Sequence, residues 1–372
     1  MSGRRIYLVA SSGYPNYGDE LTAASWLRHL AATEPDAEVW LDSPNPGGVE
    51  LLLGHLHPHL RVTDTLFRLA WAAPSDDTDE VAEFAAEAVR RPGHGIPHRA
   101  AGIDLLRSVD VFHVLGGGYI NALWPRHVAV LAAGAVLAAD HGVRVAATGL
   151  GLLPSAASPE LLDRLTADYA VMDVRDEGSR ALLSGGNVTD TGADAFLGLG
   201  DDAVYDKRES PSVMMCFQSD LVDAGVEALA TSALETARAW DLRGDKIGYV
   251  EAIPGQDRVV FDLISGELPG MRFYPFTEIW REGFPARRGQ RWLTTRFHVH
   301  LVAAAAGAWG VAFPVRAGYY DVKHESLVTA GSRWALGTPG EVAPATHGEA
   351  GFGSALPPLL AGKQELATRV YG

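Results

Sequence analysis

Short apolar runs alternate with amphipathic stretches along the chain. Residues 6–10 (Ile-Tyr-Leu-Val-Ala) form a compact apolar run, the pattern of a strand buried on both faces. The following loop holds Gly13, Pro15, Asn16 and Gly18, and Asp19 with Glu20 then opens a helix carrying Leu21, Ala24, Leu27, Leu30 and Ala31 on its apolar positions. Acidic residues in a first turn suit the helix dipole. The rhythm repeats. Strands are predicted at 37–41, 109–115, 143–148 and 169–173, and helices at 75–91, 125–141, 159–166 and 175–184. Gly116-Gly117-Gly118 follows one strand directly and the glycine-rich stretch 149–154 follows the next. A polar, charged stretch at 198–211 reads as a linker. Beyond it strands are predicted at 212–217, 246–253, 271–274, 291–293 and 311–314. Helices are predicted at 222–240, 297–308 and 321–329, with 259–264 helical or extended and 364–370 a helix that docks on either domain. The uncharged stretch 301–315 is shorter than the roughly 20 residues of a membrane span and reads as a buried helix followed by a strand.

Strands and helices in strict alternation, joined by glycine-rich turns, predict an α/β architecture with two doubly wound, Rossmann-like domains. The domains are expected at 1–205 and 206–372, the second carrying a C-terminal tail, with a cleft between them. Ligands of such sheets bind outside the carboxyl ends of the strands. The loops of interest are therefore 11–18, 116–121, 149–154, 175–176 and 294–298.

The 372 residues suit two domains of about 150–200 residues each. The formal net charge of −15 argues against nucleic acid and anionic membrane surfaces as partners, which need an excess of Lys and Arg. The single cysteine, Cys216, excludes an internal disulfide framework and a Cys-rich metal site. The run at 6–10 breaks at Ser11 and is too short for a secretion signal, so a cytoplasmic protein without stable membrane insertion is expected, compatible with a homo-oligomer.

Three sets of residues could carry chemistry. The triple glycine could cradle an anion on its backbone amides or simply make a tight turn. It is no dinucleotide fingerprint, because position 121 is Asn and positions 138–139, where an acidic ribose ligand would stand, are both Ala. Arg281, Arg287, Arg288, Arg291 and Arg296 gather positive charge within an acidic chain. That suggests a small anionic substrate, with a solvated loop as the plain alternative for the first four. Arg296 ends a strand and precedes a helix, with Thr294 or Thr295 as the expected cap. The third set is histidine. His298 falls in that helix's first turn and could donate a proton, and His300 reads as a core residue or as one that supports the site from behind. His127 could face the same cleft as the triple glycine or sit on a helix surface. The cluster His55, His57 and His59 reads as a loop and not as a metal site. Asp19 reads as a helix cap or a ligand group, and Asp176 pairs with Arg175 to hold a turn. No serine nucleophile elbow is present.

Taken in order, Asn16-Tyr-Gly-Asp19, Gly116-Gly-Gly118, Gly149-Leu-Gly-Leu-Leu-Pro154, Val174-Arg-Asp-Glu-Gly-Ser179, Ala193-Asp-Ala-Phe196, Arg296-Phe-His298 and Tyr320-Asp-Val-Lys323 resemble the polysaccharide pyruvyl transferase family. The resemblance implies a fold like the two-domain GT-B glycosyltransferases. It also implies transfer of the pyruvyl group of phosphoenolpyruvate onto two hydroxyls of a sugar or glycan acceptor, forming a cyclic ketal and releasing phosphate. By motif match, Arg175 and Arg296 would hold the donor's carboxylate and phosphate, and His298 would donate a proton. His127, placed by spacing, would accept one. Asn16, Gly18, Asp19, Gly116, Gly117, Gly118, Asp176 and Lys323 are assigned to substrate binding. The first domain would take the acceptor and the second the donor. No cofactor and no metal is expected, the donor being a small-molecule substrate. A GT-B glycosyltransferase using a nucleotide sugar is the alternative, although no acidic pair stands where such enzymes read a ribose. A binding protein without turnover is the third reading, disfavoured by the intact set Arg175, Arg296 and His298.

Overall fold

The computed structural model describes residues 3–344 and 351–372. It divides into two units. One comprises the described residues up to Tyr14, Asp19–Gly198 and Ala361–Gly372; the other comprises Pro15–Gly18 and Leu199–Leu360.

The first unit holds seven parallel strands: β1 (Arg5–Val9), β2 (Glu38–Asp42), β3 (Leu60–Thr63), β4 (Val111–Val114), β5 (Arg144–Leu150), β6 (Val171–Val174) and β7 (Val188–Thr189). Their order is β3-β2-β1-β4-β5-β6-β7. β1, β4 and β6 are buried almost throughout, as a sheet covered on both faces requires. The second unit repeats the plan with six parallel strands: β8 (Val213–Cys216), β9 (Ile247–Val250), β10 (Arg272–Tyr274), β11 (Arg291–Thr294), β12 (Trp309–Ala312) and β13 (Ala335–Leu336). Their order is β10-β9-β8-β11-β12-β13. Both sheets are doubly wound. The strand order reverses at β1/β4 in one and at β8/β11 in the other, and these switch points are where ligands of such sheets bind.

Most predicted elements appear at their expected places. The helix Thr78–Arg90 starts on an Asp77 cap that accepts from the amides of Asp79 and Glu80. The helix Val128–His141 is apolar all round because it is buried against its neighbours, and Gly142 in left-handed conformation ends it. Three differences have physical causes. β3 and the helices Pro46–Leu53 and Thr65–Ala72 are absent from the sequence expectation; they flank the histidine-rich segment 54–59, which is a loop as expected. β3 is four residues on a sheet edge and none of them is fully buried, so it carries little apolar signal. The helix expected at 175–184 shrinks to Glu177–Arg180, because Asp176 caps it late and it ends before Ser184 turns back to Asp163. The C-terminal helix is longer than expected, Leu356–Tyr371, and its last eleven residues belong to the first unit. The stretch 345–350 of the C-terminal tail lies outside the described residues. Among the described residues, no helix is long and apolar enough to cross a membrane.

Lys363 explains why the C-terminal helix belongs to the first unit. Its ammonium is fully buried and pairs with Asp173 at 3.0 Å and Asp194 at 2.9 Å, both fully buried as well. Burial works against the Lys363 charge, but the two carboxylates outweigh it and raise its pKa. Burial likewise pushes the Asp194 carboxyl up, and Lys363 and Thr148 overcome that to hold it below the ordinary range. Further along the same helix, Tyr371 donates to His113 Nδ1 at 2.7 Å, His113 Nε2 donates to Thr148, and Thr148 donates to Asp194. A second buried acid, Glu20, lies in the first turn of the helix Tyr17–Thr33. Its Oε1 accepts from the Gly13 amide at 2.7 Å, and its Oε2 meets no hydrogen-bond partner. Burial pushes this carboxyl up to about 8, against the Gly13 bond, with Asp19 adding in the same direction.

Two outcomes are expected. Replacing Lys363 by Met leaves two buried carboxylates without their cation and should destabilise the protein by about 3–5 kcal/mol. Denaturant unfolding measures this, and an unchanged midpoint would refute the structural weight given to the pair. For Glu20, the folded protein holds a proton between about pH 4.5 and 8 that the unfolded chain releases near its ordinary pKa of about 4.3. Stability should therefore fall as pH rises through that window, and Glu20→Gln should flatten the fall. Parallel pH–stability curves for the two proteins would contradict the buried acid.

Candidate functional site

At the β8/β11 switch point of the second unit, β11 ends at Thr294 and the helix Phe297–Ala305 begins on Arg296. The two threonines do not cap that helix, contrary to the sequence expectation. Thr294 Oγ1 accepts from the Arg296 amide and donates to the Cys216 carbonyl, and Thr295 Oγ1 accepts from the Gln218 amide. Both thus bind the turn to the end of β8. Arg296 is 7% exposed. Its Nε and Nη2 donate to Asp257 Oδ1 at 2.9 and 2.6 Å. Its Nη2 and Nη1 donate to Asp220 at 2.7 and 3.4 Å. Burial opposes the Arg296 charge, and Asp257 and Asp220 outweigh it, so the guanidinium stays cationic. Asp257 is itself fixed, since its Oδ2 accepts from the amides of Ala252 and Ile253 at 2.8 Å each.

His298 lies two residues beyond Arg296, in the first turn of the helix, half-buried and edge-on to Phe297 at 5.0 Å between ring centroids. The segment Pro15–Gly18 belongs to this unit and packs against it. The Asn16 side chain accepts from the Gly18 amide at 3.2 Å, and the Tyr17 amide donates to the Ala252 carbonyl at 3.0 Å. Tyr17 packs its ring on Phe284. A β-carbon at position 18 would fall inside the His298 imidazole, so only glycine lets this backbone lie against the ring. The structure therefore brings Asn16, Gly18, Arg296 and His298 into one neighbourhood. Lys323 is 7% exposed, with its ammonium 3.4 Å from the Tyr319 ring centroid and 4.8 Å from that of Tyr320. His300 is buried as expected. It donates through Nδ1 to His324, which donates through Nε2 to the Thr295 carbonyl, while Ser332 donates to His300 Nε2. Burial lowers both imidazoles, His324 to about 4, so the pair is neutral and holds the Thr295–Arg296 turn from beneath.

In the first unit the triple glycine follows β4 at the β1/β4 switch point. The Gly116 amide donates to Asp194 at 2.8 Å, and the Gly117 carbonyl accepts from Gly151. Gly116 is thus bound to a buried carboxylate and does not offer its amide to an anion, a correction to the cradle reading. Asp19 is half-buried in the first turn of the helix Tyr17–Thr33. Arg175 is 7% exposed, and its Nε lies 3.5 Å from Asp176 Oδ2. The guanidinium passes where a side chain at position 151 would stand, which accounts for the second glycine of the 149–154 stretch. Asp176 accepts from the Ser179 amide at 2.8 Å and caps Glu177–Arg180.

His127 is 6% exposed, so the surface-helix alternative is excluded. It sits among Phe67, Trp71, Tyr119 and Trp124. Its Nδ1 is 2.7 Å from the Tyr119 carbonyl. A carbonyl only accepts, so Nδ1 carries the proton and Nε2 presents a lone pair. Nε2 meets no hydrogen-bond partner, and burial lowers the pKa and keeps the ring neutral.

Sequence reasoning missed Asp220 and Asp257, which no local pattern marks. Asp194 stands in the Ala193-Asp-Ala-Phe196 motif, but nothing in its local sequence marks its role. Of the arginine cluster, Arg281, Arg287 and Arg288 are exposed, and Arg291 lies over the Trp240 and Trp309 rings. Only Arg296 is buried. Among the described residues no group of three or more His, Cys, Asp or Glu could hold a metal ion.

No curated protein matches the chain. Several solved structures share its fold at low identity. The UDP-GlcNAc 2-epimerase from Neisseria meningitidis bound to UDP-GlcNAc is 11% identical with a TM-score of 0.52, over 98% of this chain and 91% of that one. The Methanocaldococcus jannaschii UDP-GlcNAc 2-epimerase in complex with UDP-GlcNAc and UDP is 14% identical with a TM-score of 0.52, covering 100% of both chains. The fold is therefore the two-domain GT-B arrangement of parallel-sheet units. Identity this low carries the fold alone. The family profile described as polysaccharide pyruvyl transferase matches residues 16–222, more than half of the sequence. That span takes in the Asn16–Asp19 segment, the triple glycine, Arg175 and Asp194, and the chain belongs to the polysaccharide pyruvyl transferase family.

Proposed function

We propose that the protein transfers the pyruvyl group of phosphoenolpyruvate onto two hydroxyls of a sugar or glycan acceptor. The observation that carries this reading is the Arg296-Phe-His298 turn at the β8/β11 switch point, a buried cation and a half-buried imidazole on one helix start. Phosphoenolpyruvate is a compact multiply charged anion, and a guanidinium matches the geometry of its carboxylate or phosphate. Arg296 and Arg175 are the proposed anion-binding groups. Lys323 is a further cation of the second unit. Asn16, Gly18, Asp19, Gly117, Gly118 and Asp176 shape the binding loops.

The chemistry needs one acid and one base. A proton held by His298 goes to the methylene carbon of the donor, and an oxocarbenium-like centre forms at the neighbouring carbon. The first sugar hydroxyl adds there and gives up its proton. Phosphate then leaves, and the second hydroxyl closes the ketal, its proton going out with the phosphate. The neutral His127, with Nε2 unprotonated, is the proposed acceptor of the first hydroxyl's proton. Each charge-assisted bond to the developing anion contributes about 1.5–3 kcal/mol. This scheme needs no metal and no cofactor beyond the donor itself. It fits a protein at work where phosphoenolpyruvate is made, the cytoplasm.

The deciding experiment is calorimetric titration with phosphoenolpyruvate beside UDP-, GDP- and ADP-sugars. Binding of phosphoenolpyruvate supports pyruvyl transfer. Binding of a nucleotide sugar with no phosphoenolpyruvate signal would make the protein a glycosyltransferase sharing only the family's fold. Lysine is the informative replacement at Arg296, because alanine would strand the buried Asp257 carboxylate. Arg296→Lys keeps the charge and loses the fork, and should lower turnover by about 10²–10³. His298→Ala should leave phosphoenolpyruvate binding close to wild type while phosphate release with a panel of sugar acceptors stops. Loss of binding with turnover of the residual complex intact would make His298 a ligand contact and not the acid.

A further inference from the structure

The two carboxylates on Arg296 are not equivalent. Asp257 is fully buried and is committed on both oxygens, to the guanidinium on one and to the Ala252 and Ile253 amides on the other. It cannot leave without stranding four N–H donors. Asp220 follows β8 on the adjacent loop, and its side chain is 31% exposed. Its backbone is pinned by Gln218, whose Nε2 donates to the Asp220 carbonyl at 2.7 Å. Among the described residues, its carboxylate hydrogen-bonds to Arg296 alone. That bond covers the Nη1–Nη2 edge, the edge on which a guanidinium grips a carboxylate or phosphate with two parallel bonds. Together the three side chains place two negative charges on one positive charge. A multiply anionic donor approaching this edge meets net repulsion while Asp220 stays.

We infer that Asp257 is the positioning residue that holds Arg296, and that Asp220 is an internal stand-in for the donor anion, a carboxylate that swings off the Nη1–Nη2 edge when the donor's carboxylate or phosphate takes its place. This rests on the donor reading given above. Only the side chain has to move, because the backbone stays on Gln218. Competition by Asp220 lowers affinity for any single anion and reserves the edge for a ligand whose charge and fork geometry exceed those of one aspartate.

Asp220→Asn tests it, titrated with phosphoenolpyruvate and with inorganic phosphate beside the wild type. Amide replaces carboxylate at nearly constant shape, so phosphoenolpyruvate should bind about two- to fivefold more tightly, the scale of one partly exposed ion pair. Asp220→Glu restores the charge and should return the affinity towards wild type. A merely structural Asp220 would give weaker or equal binding in the asparagine variant, and that result overturns the stand-in while leaving phosphoenolpyruvate as donor. Binding by the asparagine variant alone would support the stand-in in its strongest form. Phosphoenolpyruvate binding to neither protein would overturn both the inference and the donor reading beneath it.

Discussion

The first unit depends on one buried ionic cluster, Lys363 with Asp173 and Asp194. A lysine with no solvent contact is costly unless it is matched, and here each of its two carboxylates is tied further into the backbone. Asp194 takes the Gly116 amide at the end of β4 and the Trp26 indole, and Asp173 takes the Gly149 amide at the end of β5. The cluster therefore fixes the glycine loops at the carboxyl edge of the sheet. It does so with a residue supplied from the far end of the sequence. The glycines themselves are the counterpart of that arrangement: amides that look free in the sequence are already satisfied by carboxylates.

How much was legible in the sequence follows from where the information lies. Doubly wound α/β order was legible because buried parallel strands write unbroken apolar runs such as Tyr7–Val9 and the run at 213–217, each followed by a turn rich in glycine or polar residues. The four-residue edge strand β3 was not, since none of its positions is fully buried. Arg296 and His298 were legible because strand end, cation and imidazole fall within a few residues. Asp257 and Asp220 were not, because they reach Arg296 from 39 and 76 residues away, through loops of ordinary composition. The arginine cluster shows the same limit from the other side. Five cations close in sequence are three exposed side chains, one stacked on tryptophans and one buried in the turn.

The motif glycines carry more information than their composition does. Gly18 and Gly151 are each occupied, in the space a side chain would need, by a ring or guanidinium from another segment: His298 in one case and Arg175 in the other. At these two positions the glycine thus marks where a side chain from another segment rests. It was visible in the sequence as a glycine, but its partner was not.

The two units use one device to different ends. In each, a fully buried aspartate near the carboxyl edge of the sheet binds backbone amide and cation together: Asp194 holds the Gly116 amide and Lys363, and Asp257 holds the Ala252 and Ile253 amides and Arg296. Lys363 is closed on all sides, so its charge is spent on folding. Arg296 has more donors than Asp257 can use, and among the described residues its remaining edge carries only the partly exposed Asp220. A cation that is held rigidly from behind and is covered in front by a replaceable carboxylate can exchange one anion for another without losing its position. That difference, and not the shared fold, separates a structural ion pair from a binding group. It is why the proposed anion-binding role falls on Arg296 and not on the more deeply buried lysine.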